Sequence, residues 1–210
     1  MLNVGKLMKY ETFTGGLFET NCYLFEAPKG HILFDAPDGV CDWLVGRGVS
    51  LSLLILTHGH IDHVQDVAVI KETFNCPIGC HPETEPMIAD PDFFRRFGFG
   101  FDLQPTKPDF FITETDEQDF LGLKMQVLEV PGHCPGSLCF FDRMSGLLVG
   151  GDVLFQAGVG RSDLPGGDAE LLFSGIREKL FPLGDEVIVL PGHGAPTKIG
   201  VEKKTNPFLA

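Results

Sequence analysis

Short apolar runs rich in β-branched and aromatic residues, separated by Gly, Pro and Asp, recur along this chain. They predict strands over Leu7–Phe13, Asn21–Glu26, His31–Asp35, Leu51–Leu56, Pro77–Cys80, Met125–Val130, Leu138–Asp142, Leu147–Gly150 and Glu186–Leu190. Helical patterning fits Gly39–Gly46, Val64–Phe74, Glu83–Phe97 and Asp168–Leu180. Asp168 reads as a helix cap, with Glu170 in the first turn and Arg177 and Lys179 near the end, where the helix dipole favours them. Pro86 and Pro91 are expected to break the third helix into two pieces. Antiparallel-looking strand clusters interrupted by single helices indicate a layered α/β arrangement rather than regular βαβ alternation. One domain over residues 1–210 is expected.

Composition narrows the function. With 43% hydrophobic and 21% charged residues the chain is a folded globular protein, and 210 residues suffice for a substantial core. Sixteen Lys and Arg against 29 Asp and Glu leave a net charge of −13, which argues against nucleic acid or an anionic membrane as partner. No apolar run reaches the roughly 20 residues of a membrane span, and residues 1–10 lack a signal-peptide core, so a cytoplasmic location is expected. The six cysteines are dispersed without a CxxC pair and read as reduced thiols.

The chemistry concentrates after the apolar run Leu51–Leu56, in Thr57-His58-Gly59-His60-Ile61-Asp62-His63. His58 and His60, two apart across a glycine, can point the same way from a loop and suit one metal ion. Asp62 and His63 fall where a helix begins, face elsewhere, and suit a second ion a few ångströms away. Imidazole and carboxylate together suit Zn²⁺ first, with Fe or Mn also accepted. Three more apolar runs end in a ligand-type residue: Met125–Val130 before Pro131-Gly132-His133, Leu147–Gly151 before Asp152, and Glu186–Leu190 before Pro191-Gly192-His193. Of the seven histidines only His31 and His81 fall outside these motifs.

The set His58-x-His60-x-Asp62-His63 with His133, Asp152 and His193 resembles the metallo-β-lactamase-fold hydrolase superfamily over nearly the whole chain. The resemblance implies a four-layer αβ/βα sandwich with a dinuclear site in the cleft between its two sheets. It also implies that His58, His60 and His133 hold one divalent ion, that Asp62, His63 and His193 hold the other, and that Asp152 bridges them. Within the superfamily, the stretch Gly158-Val159-Gly160-Arg161-Ser162-Asp163-Leu164-Pro165-Gly166-Gly167-Asp168 and the ending Asn206-Pro207-Phe208 resemble the small bacterial members of the glyoxalase II group. That group implies hydrolysis of a thioester such as S-D-lactoylglutathione by a hydroxide shared between two ions, with Asp62 orienting it.

Several features modulate this reading. Longer glyoxalase II enzymes add a C-terminal helical domain that grips glutathione; none is expected here, which bears on glutathione recognition. Arg161 and Lys198 are candidates for meeting substrate carboxylates, whereas Lys203 and Lys204 read as a solvated tail. Cys134 stands where the group commonly has Thr, and reads first as a packing exchange, second as an influence on the adjacent ligand. Phe93, Phe94, Phe97, Phe99 and Phe101 crowd one segment. Its ordinary role is core or flap, and its functional reading is an aromatic wall in which Phe93 and Phe97 meet a hydrophobic acyl group. A lactonase or esterase of the same fold, and a mononuclear iron persulfide dioxygenase, are the alternatives. The partner is a small-molecule thioester or ester, and the oligomeric state is left open.

Overall fold

The computed structural model describes residues 8–98, 100 and 102–209. Its first half forms a six-stranded sheet from β1 (Tyr10–Gly15), β2 (Thr20–Ala27), β3 (Gly30–Phe34), β4 (Leu51–Ile55), β5 (Ile78–Cys80) and β6 (Phe110–Phe111), in that spatial order. β1 to β3 pair antiparallel, and β3 to β6 pair parallel through crossovers. The crossovers carry α1 (Val40–Gly46), α2 (Ile61–Val64), α3 (Val67–Phe74) and α4 (Glu85–Ala89).

A second six-stranded sheet is ordered β14-β13-β10-β9-β8-β7. Its strands are β7 (Thr115–Phe120), β8 (Leu123–Glu129), β9 (Leu138–Asp142), β10 (Leu147–Gly151), β13 (Ile188–Pro191) and β14 (Thr197–Lys198). A two-stranded hairpin, β11 (Leu154–Phe155) with β12 (Gly158–Val159), follows β10. Helices α5 (Ala169–Gly175) and α6 (Ile199–Thr205) complete the chain.

Side-chain alternation explains why the sheets stack. Along β2, Tyr23 and Phe25 face the second sheet, where Phe34, Ile55, Met125, Val127 and Phe140 also bury. Cys22 and Leu24 face the other way, onto Val40, Leu44, Val67 and Ile70 of the outer helices. The second sheet repeats the design: Leu128, Cys139, Leu148 and Val189 turn outward onto Leu172, Ile176 and Ile199. Central strands buried on both faces therefore read as continuous apolar runs. The result is the helix–sheet–sheet–helix sandwich that the sequence implied. Among the described residues no helix is long and apolar enough to cross a membrane.

Three expected elements are corrected and a fourth breaks as expected. The first strand begins at Tyr10, because its pairing with β2 runs from Tyr10 opposite Phe25 to Gly15 opposite Thr20; Leu7 lies outside the described residues. The helix expected over Val64–Phe74 is two helices, parted at Gln65-Asp66. There the Asp66 amide donates to Ala36 O and its carboxylate accepts from the Cys41 amide at 2.9 Å, so tertiary bonds override the local pattern. The helix expected over Glu83–Phe97 breaks as its prolines require, leaving α4 and a 3₁₀ turn over Arg95–Phe97. The helix capped by Asp168, whose side chain accepts from the Leu171 amide as expected, passes into a π-helical turn at Ile176–Leu180.

Candidate metal centre

Each ligand-type residue sits just past the C-terminal end of a strand, at the edge where the two sheets meet. β4 ends before Thr57 and hands over to a loop carrying His58 and His60; α2 then places Asp62 and His63 one turn further on. β8, β10 and β13 deliver His133, Asp152 and His193. The parallel register between β10 and β13 shifts between Val149 and Gly151, a local irregularity of the kind that redirects a following side chain.

The seven groups converge. The ligand atoms of His58, His60 and His133 lie within 4.8 Å of one another, as do those of Asp62, His63 and His193, and those of His58, His63 and Asp152. Asp152 stands between the two triads: its Oδ1 is 3.3 Å from His63 Nε2, and its Oδ2 is 3.5 Å from His133 Nε2 and 3.3 Å from His193 Nε2. Asp62 Oδ2 is 3.2 Å from His193 Nε2 and 3.6 Å from His63 Nε2.

Outer partners fix which ring nitrogens face inward. His133 Nδ1 donates to the Arg161 carbonyl at 2.7 Å, and His193 Nδ1 donates to the Phe18 carbonyl at 3.1 Å. His63 Nδ1 donates to Asp35 Oδ2 at 2.9 Å. Asp35 also accepts the Thr57 amide and the Thr57 hydroxyl, each at 2.8 Å. With its hydrogen thus engaged, Thr57 Oγ1 accepts from His58 Nδ1 at 3.0 Å. Asp35 therefore sets the tautomer of two rings, and each inward Nε2 keeps a lone pair for a cation. Sequence reasoning missed Asp35, Thr57 and Thr20. Asp35 was discoverable, since it too ends an apolar strand in an acidic residue.

The arrangement fits metal ions by an independent criterion. His58 Nε2, His63 Nε2 and Asp152 Oδ1 are buried and have no hydrogen-bond partner, a costly condition unless a cation supplies one. His60 Nδ1 and His133 Nε2 stand 2.8 Å apart, a spacing that calls for a proton or a cation between them. Close approach is secured by glycine: a Cβ on Gly192 would strike Asp152 Oδ1 and the His63 ring. Gly132, at φ +118°, brings the chain against the backbone of Asp168 and Leu172 while turning toward His133.

Electrostatics divides the centre. Burial, reinforced by neighbouring imidazoles, holds His58 well below the ordinary histidine range and His60 at about 3, so both stay neutral. Burial also lowers His133. In the other half, burial is outweighed by carboxylates: Asp152, Asp35 and Asp62 raise His63, and bonds to Asp152 and Asp62 raise His193 to about 10. Burial likewise opposes ionisation of the acids, yet His63 and His193 hold Asp62 at about 2 and Asp152 well below the usual range. Positive charge is favoured between the carboxylates, where protons stand in for cations.

The described superfamily "Metallo-beta-lactamase superfamily" has a family model that matches residues 15–193. The chain belongs to the metallo-beta-lactamase superfamily. This metallo-beta-lactamase-superfamily chain is 36% identical over 209 residues to hydroxyacylglutathione hydrolase GloC of Haemophilus influenzae, covering 96% of this chain and 98% of that one. It is similar to the crystal structure of the B3 metallo-beta-lactamase BLEG-1 (TM-score 0.88, 32% identity, 96% and 99% of the two chains). It is also similar to the di-iron-bound form of TTHA1623 (TM-score 0.81, 35% identity, 95% and 100%). A metallo-beta-lactamase fold binds divalent metals, and this chain carries a His/Asp cluster able to hold them, at the floor of a cleft.

That cleft, of about 570 Å³, is lined by His60, Asp62, His133, Asp152 and His193 at its floor. Arg161, Phe93 and Phe97 are also among the residues that line it. The Arg161 guanidinium, however, is forked onto Asp163 at 2.8 and 2.9 Å. Lys198 pairs with Glu186 at 2.9 Å, outside the cleft lining. Cys134 is fully buried, its sulfur 3.7 Å from Met87 Sδ, and burial pushes its thiol up to about 12. That is a packing role.

Proposed function

We propose that this chain is a thioester hydrolase that converts an S-acylglutathione, such as S-D-lactoylglutathione, to the free acid and glutathione. The observation that carries the reading is the convergence of seven ligand groups around Asp152 at the floor of an open cleft. Likeness to hydroxyacylglutathione hydrolase GloC over nearly the whole of both chains supports the substrate class.

His58, His60 and His133 are the groups to hold one divalent ion, Asp62, His63 and His193 the other, with Asp152 between them. Such ions, when bound, supply Lewis acidity that activates water and takes up developing carbonyl charge. Thr20 Oγ1 engages Asp62 Oδ2, and the Asp62 carboxylate, kept ionised, accepts a hydrogen bond from the attacking water and so orients it. The leaving thiol has an ordinary pKa of about 8.5, so no strong general acid is needed to release it.

The test is a hydrolysis panel of thioesters, lactones and β-lactams with the metal-reconstituted protein. Turnover of S-D-lactoylglutathione, lost in Asp62→Ala, is the expected result. Likeness to BLEG-1 favours β-lactam hydrolysis as a second reading; turnover of β-lactams or lactones without thioesters would overturn the first.

A further inference from the structure

Above its polar floor the cleft has one wall of aromatic rings running from core to solvent. Phe94 is buried at 5% exposure, and Phe93 packs edge-on against it with ring centroids 5.3 Å apart. Phe93 in turn meets Phe97 edge-on at 5.4 Å, and Phe97 is 46% exposed at the mouth. Met87 continues this wall down to Cys134 beside His133.

The wall is built to stay in place. Arg95 pairs with Asp92 at 3.4 Å and with Asp102, and Arg96 pairs with Asp90, so ion pairs hold the backbone on both sides of Phe97. Exposed pairs contribute little singly, but several sharing one short segment restrict its conformations together.

The charge inventory points the same way. Arg161 is the single Lys or Arg among the described lining residues, and Asp163 occupies its fork. Glu83 adds a carboxylate to the lining. A small hydroxylated acyl group placed along the wall would lose hydration without gaining polar partners there. An apolar chain would remove its own surface and that of the Phe93 and Phe97 rings from water, with Phe94 backing them.

We infer that, in the hydrolase proposed above, the Phe93–Phe94–Phe97 wall is an acyl subsite that selects thioesters with a large apolar acyl group over D-lactoyl. This rests on the thioesterase reading and deepens it.

The test uses the metal-loaded protein with a series of S-acylglutathiones: acetyl, D-lactoyl, butyryl, hexanoyl and benzoyl. Expected is a rise in kcat/KM of about threefold per added methylene from acetyl to hexanoyl, with hexanoyl above D-lactoyl by about tenfold or more. The benzoyl arm separates a ring-shaped from a chain-shaped subsite. Phe97→Ala, at a half-exposed position, flattens the series and lowers the hexanoyl-to-acetyl ratio about tenfold, while Phe97→Leu restores part of it. Binding of the inert thioether S-hexylglutathione, tighter than S-methylglutathione and weakened by Phe97→Ala, gives a readout independent of turnover. A flat or falling chain-length series, or a ratio indifferent to Phe97→Ala, overturns the subsite alone. Failure of every thioester overturns the hydrolase reading and the subsite with it.

Discussion

Thr20 Oγ1 donates a 2.7 Å hydrogen bond to Asp62 Oδ2, tying the start of a strand in the first sheet to an acid on the helix that leaves its fourth strand. Thr20 also bridges to His193 through the backbone. One residue thus touches both an acid and an imidazole of the same triad. Replacing it by valine keeps the shape and removes the donor. A hydrogen bond to a charged group contributes about 1.5–3 kcal/mol. Thr20→Val is expected to lower kcat/KM at least tenfold with the far-UV circular dichroism spectrum unchanged; a rate within twofold of the parent would show that Asp62 needs no such tether.

Asp35 accepts three hydrogen bonds, two from Thr57 and one from His63. An amide in its place has only one acceptor oxygen. Asp35→Asn therefore loosens His58 and His63 together, and metal affinity is expected to fall about 10- to 100-fold, as for other outer partners of metal-binding histidines. Competition against a chromophoric chelator measures it. Unchanged affinity would mean the two rings are oriented by packing alone.

Gly192 has no room for a side chain, because a Cβ there meets Asp152 Oδ1 and the His63 ring. Gly192→Ala is expected to bind fewer metal ions per chain than the parent by elemental analysis, while retaining its secondary structure. Full loading in that variant would show that Asp152 and His63 can give way.

All six cysteines are buried. Burial pushes Cys76 up to about 11 and Cys80 and Cys139 to about 12, so thiolate is scarce at neutral pH. A disulfide-exchange reagent at pH 8 is expected to titrate less than one thiol per native chain within minutes, and six in guanidinium. Rapid reaction of a native thiol would reveal an opening that these buried positions do not suggest.

The convergence of the seven residues was legible because it is written as repeated strand endings: His58 with His60, His133, Asp152 and His193 each follow an apolar run. The sandwich followed from the same runs, since central strands are apolar on both faces. β7 was not legible. Its sequence, Thr-Asp-Glu-Gln-Asp-Phe, is almost wholly polar because an edge strand exposes most of its side chains to water. β14 and α6 escaped for a related reason, their order depending on tertiary bonds such as that from the Ala157 amide to the buried Glu202. The helix break at Asp66 and the anchoring by Asp35 likewise depend on partners remote in sequence, which local patterning does not encode.

Neither half of the sandwich owns a complete triad set: β4 and α2 contribute His58, His60, Asp62 and His63, while the strands of the other sheet contribute His133, Asp152 and His193. Under the ligand assignment proposed above, loading would be a late event in the life of the polypeptide, open only once synthesis has passed His193 and the two halves have closed on each other. Ions held by that set would act as a rivet across the seam, and stripping them is expected to ease the halves apart before either one melts.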